Sequence, residues 1–379
     1  MPQRQPTHIL VVGAGAVGCF YASKLHHPDV GIFVSLVCRS NYQTIAAEGV
    51  QLKTRDFGEY HFTPHRVFAS ISDAGRGAPT AGPDGHGGWD YVIVTTKALP
   101  DRVDDAASVE HVVRQGSSPG TGTTIVLIQN GVGIEAPHRL RFPNNPIISC
   151  VTVISAEQVS HGIVVQNRWT RISLGPYSDG VGNEAQSASS SPSSTTTTLS
   201  NASTESMHLL QSWWARGGIK DAEPHSEKEL QLIRWHKLTI NASMNPSAVL
   251  SGGTGNADMV LLPELRMHIR GVMDEIFYLA PRILQVREGS FPEHLGLASA
   301  EKIIKSTERN KGAKPSMLLD WEAGRPMELE VILGNPVRMA RERGLECPRL
   351  QSMYALLKAA QDRREEKGKD AKVGEGSKL

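Results

Sequence analysis

Val11-Val12-Gly13-Ala14-Gly15-Ala16-Val17-Gly18 lies between an apolar, β-rich run that begins at Thr7 and a helix-like stretch from Val17 to Leu25. In that setting the glycine spacing has a physical meaning. The first glycine permits a tight turn, the second a close backbone approach to a pyrophosphate, and the third close packing of helix on strand. The amino end of the helix then faces the phosphate charge. Residues 13–18 therefore read as a dinucleotide-binding loop.

Working outward, a second apolar run at Ile32–Cys38 follows at the spacing of a βαβ unit, and buried-strand candidates recur at Tyr91–Thr95, Thr124–Ile128 and Pro146–Val153. This order predicts a Rossmann-type doubly wound parallel sheet. Gly75–Gly88, rich in Gly and Pro, reads as a surface loop, and Ser178–Ser206, dominated by Ser, Thr and Ala, as a low-complexity disordered insertion. From Ser226 the pattern turns helical, with Glu227–Met244, Pro263–Arg282, Ala298–Thr307 and Glu328–Gly344. The expected organisation is a cofactor domain over 1–222, an all-helical C-terminal domain over 223–362, and a flexible charged tail over 363–379.

The 379 residues carry 40 Lys+Arg against 39 Asp+Glu, a formal net charge of +1. No global field points to nucleic acid or a membrane surface, so a small-molecule partner is expected. Cys19, Cys38, Cys150 and Cys347 are scattered, with no paired spacing and no nearby histidine. They read as reduced thiols, with neither a disulfide nor a metal site. The longest apolar run, Ile9–Ala22, is shorter than the ~18–20 residues of a membrane span and contains three glycines. No secretory signal pattern precedes it. The chain closes on Ser377-Lys378-Leu379, a peroxisomal address when read by the import receptor at a free carboxyl end. Peroxisomal residence is therefore expected; oligomeric state is not legible.

The end of the second strand bears on the choice of nicotinamide cofactor. An acid there would accept hydrogen bonds from a ribose 2′-hydroxyl, but the sequence is Val37-Cys38-Arg39-Ser40 and the nearest acid, Asp29, precedes the strand. Arg39 suits a 2′-phosphate, so NADP(H) is expected over NAD(H). Polar groups also close two later strands: Lys97 after Val92-Ile93-Val94-Thr95-Thr96, and Asn130 in Ile128-Gln129-Asn130-Gly131. Far downstream, Lys237, Asn241 and Asn245 repeat at helical spacing. At about 100° and 1.5 Å per residue they form one stripe roughly 12 Å long, an amine and two amides able to grip a small polar substrate. Asparagine is a poor helix former, so two of them in a helix interior imply a compensating role.

A last polar segment runs from Lys314 through Ser316, Asp320 and Glu328 to Glu330. Together these motifs resemble the ketopantoate reductase (2-dehydropantoate 2-reductase) family. They are the glycine loop, Lys97-Ala98, Gln129-Asn130-Gly131, Lys237-x3-Asn241-x3-Asn245-Pro246, Ser316-Met317-x2-Asp320 and Glu328, and they follow the family's order along essentially the whole chain. The resemblance implies a helical domain like that of 6-phosphogluconate dehydrogenase and reduction of 2-dehydropantoate to pantoate by NADPH, a step towards pantothenate and coenzyme A. It also implies the roles of individual residues. Lys237 would donate the proton, with Glu328 in the catalytic network. Asn130, Asn241, Asn245 and Ser316 would hold the substrate, with Asn256 the nearest match to a further family asparagine. Residues 13–18, Arg39, Lys97, Asn130 and Glu328 would serve the cofactor. Hydride addition to a ketone builds negative charge on oxygen, which an ammonium both stabilises and protonates. Two other readings remain open: the same chemistry on a different 2-oxo acid, and an NADPH-binding regulator without catalysis.

Overall fold

The computed structural model describes residues 5–80, 87–178, 194–286, 291 and 295–376. The chain forms two compact units: Met1–Lys97, Val103–Gln129 and Ile134–Leu230 make the first, and Ala98–Arg102, Asn130–Gly133 and Gln231–Leu379 the second. The division thus falls at 230/231 rather than 222/223. Two short loops between strands also belong with the helical unit.

The first unit is built on a 10-stranded sheet. Its elements are β1 (Thr7–Val12), α1 (Ala16–Leu25), β2 (Ile32–Val37), α2 (Tyr42–Glu48), β3 (Val50–Thr54), β4 (Gly58–Phe62), β5 (Val67–Phe68), α3 (Ile71–Arg76), β6 (Tyr91–Val94), α4 (Asp105–Ser108), β7 (Thr124–Leu127), α5 (Ala136–Arg141), β8 (Ile147–Ser160), β9 (Ile163–Pro176), α6 (Ser194–Arg216) and β10 (Ala222–Pro224). The strand order is β4-β3-β9-β8-β7-β6-β1-β2-β5, with β10 beside β9. From β8 to β5 every pairing is parallel. The chain leaves β1 towards β2 and β5, then returns to the other side of β1 for β6, β7 and β8. The switch point is therefore between β1 and β6, where such sheets bind ligands at their carboxyl ends. The continuous apolar runs follow from this placement: Ile9, Leu10, Val92, Ile125 and Val126 are wholly buried.

Two features of this unit differ from the sequence reading. Beyond β8 the sheet becomes mixed: β8 with β9 and β3 with β4 are antiparallel, while β9 pairs parallel with β3 and β10. The second half of the stretch assigned to a disordered insertion is helical, because α6 starts at Ser194. Residues 179–193 lie outside the described residues, as do 81–86 of the Gly/Pro-rich loop. Ser and Thr are weak helix formers, but Leu199, Ser203, Met207, Leu210 and Trp214 recur at intervals of three and four and are all buried. Trp214 donates its indole N–H to the Tyr21 carbonyl on α1 (3.2 Å). Packing on the sheet unit, at about 1.5–3 kcal/mol per large apolar side chain, outweighs the poor local propensity.

The second unit consists of α7 (Glu227–Leu250) from Gln231 onward, α8 (Asn256–Leu261), α9 (Pro263–Ile283), α10 (Ala300–Thr307), α11 (Ser316–Glu322), α12 (Asn335–Glu342) and α13 (Pro348–Gly376). Its core includes Ile269, Val272, Met273 and Ile276 of α9 with Leu350 and Leu357 of α13. The helix expected over Glu328–Gly344 is not one regular element: Glu328 precedes it, the backbone is π-helical over Glu330–Gly334, and α12 follows. Pro336 has no N–H to give a carbonyl one turn back, and the winding widens just before it. The backbone is helical through Gly376, where the sequence reading places a flexible tail; Ser377, Lys378 and Leu379 lie outside the described residues.

Candidate active site

In the first unit, the glycine loop spans the end of β1 and the start of α1. Gly13 adopts φ +113°, and a Cβ there would meet the Thr95 hydroxyl at 2.8 Å. A Cβ on Gly18 would lie 2.0 Å from the Gly13 carbonyl oxygen. Both positions therefore require glycine. Gly15 is different, with open space where its Cβ would point. It is also the N-cap of α1 and has no side-chain cap, so the first-turn N–H groups at Ala16, Val17 and Gly18 remain for an anion. These features fit a dinucleotide pyrophosphate.

Three polar side chains missed in the sequence reading shape this loop. Thr95 donates its hydroxyl to the Gly13 carbonyl (2.6 Å), while the Asn41 and Gln158 amides both donate to the Ala14 carbonyl (2.7 and 3.0 Å). Asn41 lies just past Arg39-Ser40, a position that could have signalled it; Gln158 comes from β8 and carries no local motif. Arg39 and Lys97 are exposed, at the ends of β2 and β6. Asp29 is ion-paired with Arg216 (2.6 Å), so this acid is engaged before β2 begins. Gln129 bridges the Thr96 carbonyl and the Asp105 carboxylate, each at 3.0 Å. Burial raises the Asp105 carboxyl above the usual carboxylate range, with the Gln129 hydrogen bond and the Arg39 charge working against it.

In the second unit, a hydrogen-bonded chain joins three of the expected residues. Lys237 Nζ donates to Asn130 Oδ1 (2.8 Å), and Asn130 Nδ2 donates to Glu328 Oε2 (3.3 Å). Glu328 Oε1 accepts from the Ala98 backbone N–H (3.1 Å). The neighbouring Met327 N–H is held by the buried Gln361 side chain (2.9 Å). The Asn130 turn is also tied down: Val132 N–H donates to Val331 O (3.0 Å) and Asn335 Nδ2 to Val132 O (2.7 Å). Burial pushes the Lys237 ammonium down to about 8; the Arg234 charge adds to this, and Glu328 opposes it. A lysine so placed is a better proton donor near neutrality than a free one.

The rest of the stripe is placed but not joined. Asn241 and Asn245 follow Lys237 on α7, Asn245 almost fully buried, and neither side chain hydrogen-bonds to another described residue. Ser316 is the exposed first residue of α11. Asn256 opens α8, with its N–H on the Ala313 carbonyl (3.1 Å) and a buried side-chain oxygen that has no partner among the described residues. No hydrogen bond among the described residues links Lys237 to Asn241, Asn245 or Ser316.

A switch-point glycine loop of this geometry, with a helical unit that carries a half-buried, hydrogen-bonded lysine, is the arrangement of an oxidoreductase that uses a nicotinamide cofactor. Family models described as "Ketopantoate reductase PanE/ApbA" and "Ketopantoate reductase PanE/ApbA C terminal" match residues 9–179 and 229–361. A crystal structure of 2-dehydropantoate 2-reductase from Methylococcus capsulatus has a TM-score of 0.71 and 30% identity, covering 94% of this chain and 97% of that one. The chain belongs to the ketopantoate reductase family. It is also 28% identical to the uncharacterised protein YDL144C of Saccharomyces cerevisiae, over 95% of each chain. A ternary structure of D-mandelate dehydrogenase with NADH and anilino(oxo)acetate shares the fold, with TM-score 0.64 and 17% identity, over 95% of this chain and 99% of the other.

Proposed function

We propose that the protein reduces 2-dehydropantoate to pantoate with NADPH, using Lys237 as the proton donor. The observation that carries this reading is the Lys237–Asn130–Glu328 chain, in which a lysine pushed down to about 8 is oriented by an amide fixed to a buried carboxylate. When bound, NADPH would supply the hydride for the ketone carbon. Lys237 gives its proton to the ketone oxygen as negative charge develops there, leaving a hydroxyl on the substrate and a neutral amine that regains a proton from water. Asn130 directs the ammonium, and Glu328 keeps Asn130 from rotating. Asn241, Asn245 and Ser316 carry unengaged polar groups suited to the substrate carboxylate and hydroxyl. Arg39, with Asp29 engaged elsewhere, supports NADPH over NADH.

Steady-state nicotinamide oxidation with 2-dehydropantoate, set beside a panel of other 2-oxo acids, tests the reading. The expected result is the highest kcat/KM with 2-dehydropantoate and NADPH, and at least about tenfold less with NADH, since charge-assisted hydrogen bonds contribute about 1.5–3 kcal/mol. A higher kcat/KM on a different 2-oxo acid would transfer the proposal to that substrate. Cofactor binding without turnover on any of them would leave a regulator.

A further inference from the structure

Arg234 lies one turn before Lys237 on α7, at the i, i+3 spacing that puts two side chains on one helix face. It is 3% exposed, an uncommon burial for arginine. Its guanidinium donates to the Gly131 carbonyl (3.1 Å). Gly131 is the residue after Asn130, and Asn130 accepts from Lys237 (2.8 Å). Two consecutive residues of the 130–133 turn are thus gripped by two cations from one turn of one helix. Gly131 stands at φ +85°, with Val331 pressed so close that a Cβ would lie 2.5 Å from it, so the turn has little room to move in that direction.

We propose that Arg234 is a positioning residue for the proton donor: it pins the Asn130–Gly131 turn through the Gly131 carbonyl and holds a second, permanent positive charge beside the Lys237 ammonium. A guanidinium does not lose its proton in the working range, so the charge it presents is fixed. The charged groups that act on Lys237 are Arg234 from α7 itself and Glu328 from the segment before the π-helical turn, and they act in opposite directions. Asn130, from the 130–133 turn, adds a neutral amide. Arg234 therefore makes Lys237 readier to release its proton while keeping the amide that aims it in place. With Arg234 removed, burial still lowers the Lys237 proton affinity, but Glu328 has no charge set against it and the lysine holds its proton more tightly.

This inference rests on the reading of Lys237 as the donor, and its test is separable from that reading. The full chain, as wild type, Arg234→Gln and Arg234→Lys, is labelled with acetic anhydride across a pH series, and modification of Lys237 is followed by mass spectrometry. This reports the titration of that amine without requiring turnover. The expected wild-type midpoint is near 8, moving up by about one pH unit in Arg234→Gln and staying near the wild-type position in Arg234→Lys. The alkaline limb of kcat should move with it in Arg234→Gln, while kcat at pH 7 falls about tenfold. A loss of packing alone would lower kcat and leave the limb where it was. An Arg234→Gln midpoint that coincides with wild type overturns the proposal. So does a wild-type midpoint at the ordinary lysine value, which decides the matter even if Arg234→Gln does not fold. Shifted midpoints in a protein that turns over no 2-oxo acid would sink the proposed reaction, and with it the role of Arg234 in proton donation, and leave only its effect on the Lys237 amine.

Discussion

Lys237 sits where burial and Arg234 lower its proton affinity and Glu328 raises it, with a balance near 8. In the proposed reduction the acting form is the ammonium, so the sign of the pH dependence follows directly. The rate of ketone reduction should be level below about pH 8 and fall roughly tenfold per pH unit above it. Glu328→Gln removes the opposing carboxylate, so the alkaline limb should move to lower pH; a limb that stays put or moves upward would contradict the assigned direction. The same substitution weakens the acceptor for the Ala98 N–H and for Asn130 Nδ2, so kcat should fall as well. Lys237 and Glu328 were legible as separate motif residues. Their partnership through Asn130 was not, because 107 and 198 residues separate Asn130 from them. Gln361, which braces Met327 from α13, carries no motif at all.

Elements explain what local pattern reading caught and missed. β1, β2, β6 and β7 are central parallel strands, almost wholly apolar, and their positions were plain in the sequence. β3, β4 and β9 are less continuously buried and alternate with polar residues, so their runs stand out less; β9 is exposed at Asn167, Arg168, Trp169 and Arg171. α6 was hidden by its Ser/Thr composition and is held by a buried stripe whose partner, α1, lies far away in sequence. The turn at 130–133 shows the strictest local demand. Gly131→Ala should destabilise the protein by about 1–3 kcal/mol, through its positive φ and the contact with Val331, measured as a lowered midpoint in urea. A midpoint within error of wild type would mean the turn can relax. Between α1 and β2, the Val34 N–H donates to His26 Nδ1 (3.1 Å), which requires that nitrogen to be unprotonated. Burial, then the His65 and His27 charges, lower the His26 pKa from 6.5, so the unfolded chain binds the proton more readily. Stability should therefore fall as pH drops below about 6.5. His26→Gln keeps an acceptor that does not titrate and should flatten the fall of Tm between about pH 7.5 and 5.5; an unchanged slope would clear His26 of this role.

At the scale of the molecule, the glycine loop belongs to the sheet unit and the Lys237–Asn130–Glu328 chain to the helical unit, which recruits the 98–102 and 130–133 loops into its own fold. The compact units divide at 230/231, inside α7; which loops and residues pack with which unit is not written in the composition near position 222. Two proposals belong to the whole chain. A fluorescent fusion that leaves Leu379 with the free carboxylate should appear in peroxisomal puncta and disperse when Ser377–Leu379 is removed; an identical diffuse signal from both would refute the address. The second is that Lys237 protonates a 2-oxo acid reduced by NADPH. The most direct test is single-turnover NADPH oxidation with 2-dehydropantoate by wild type and Lys237→Ala, alongside NADPH affinity. The expected result is wild-type turnover, a loss of about 10²–10⁴-fold in the variant and unchanged NADPH affinity. A variant that retains the wild-type rate within a few-fold would contradict it.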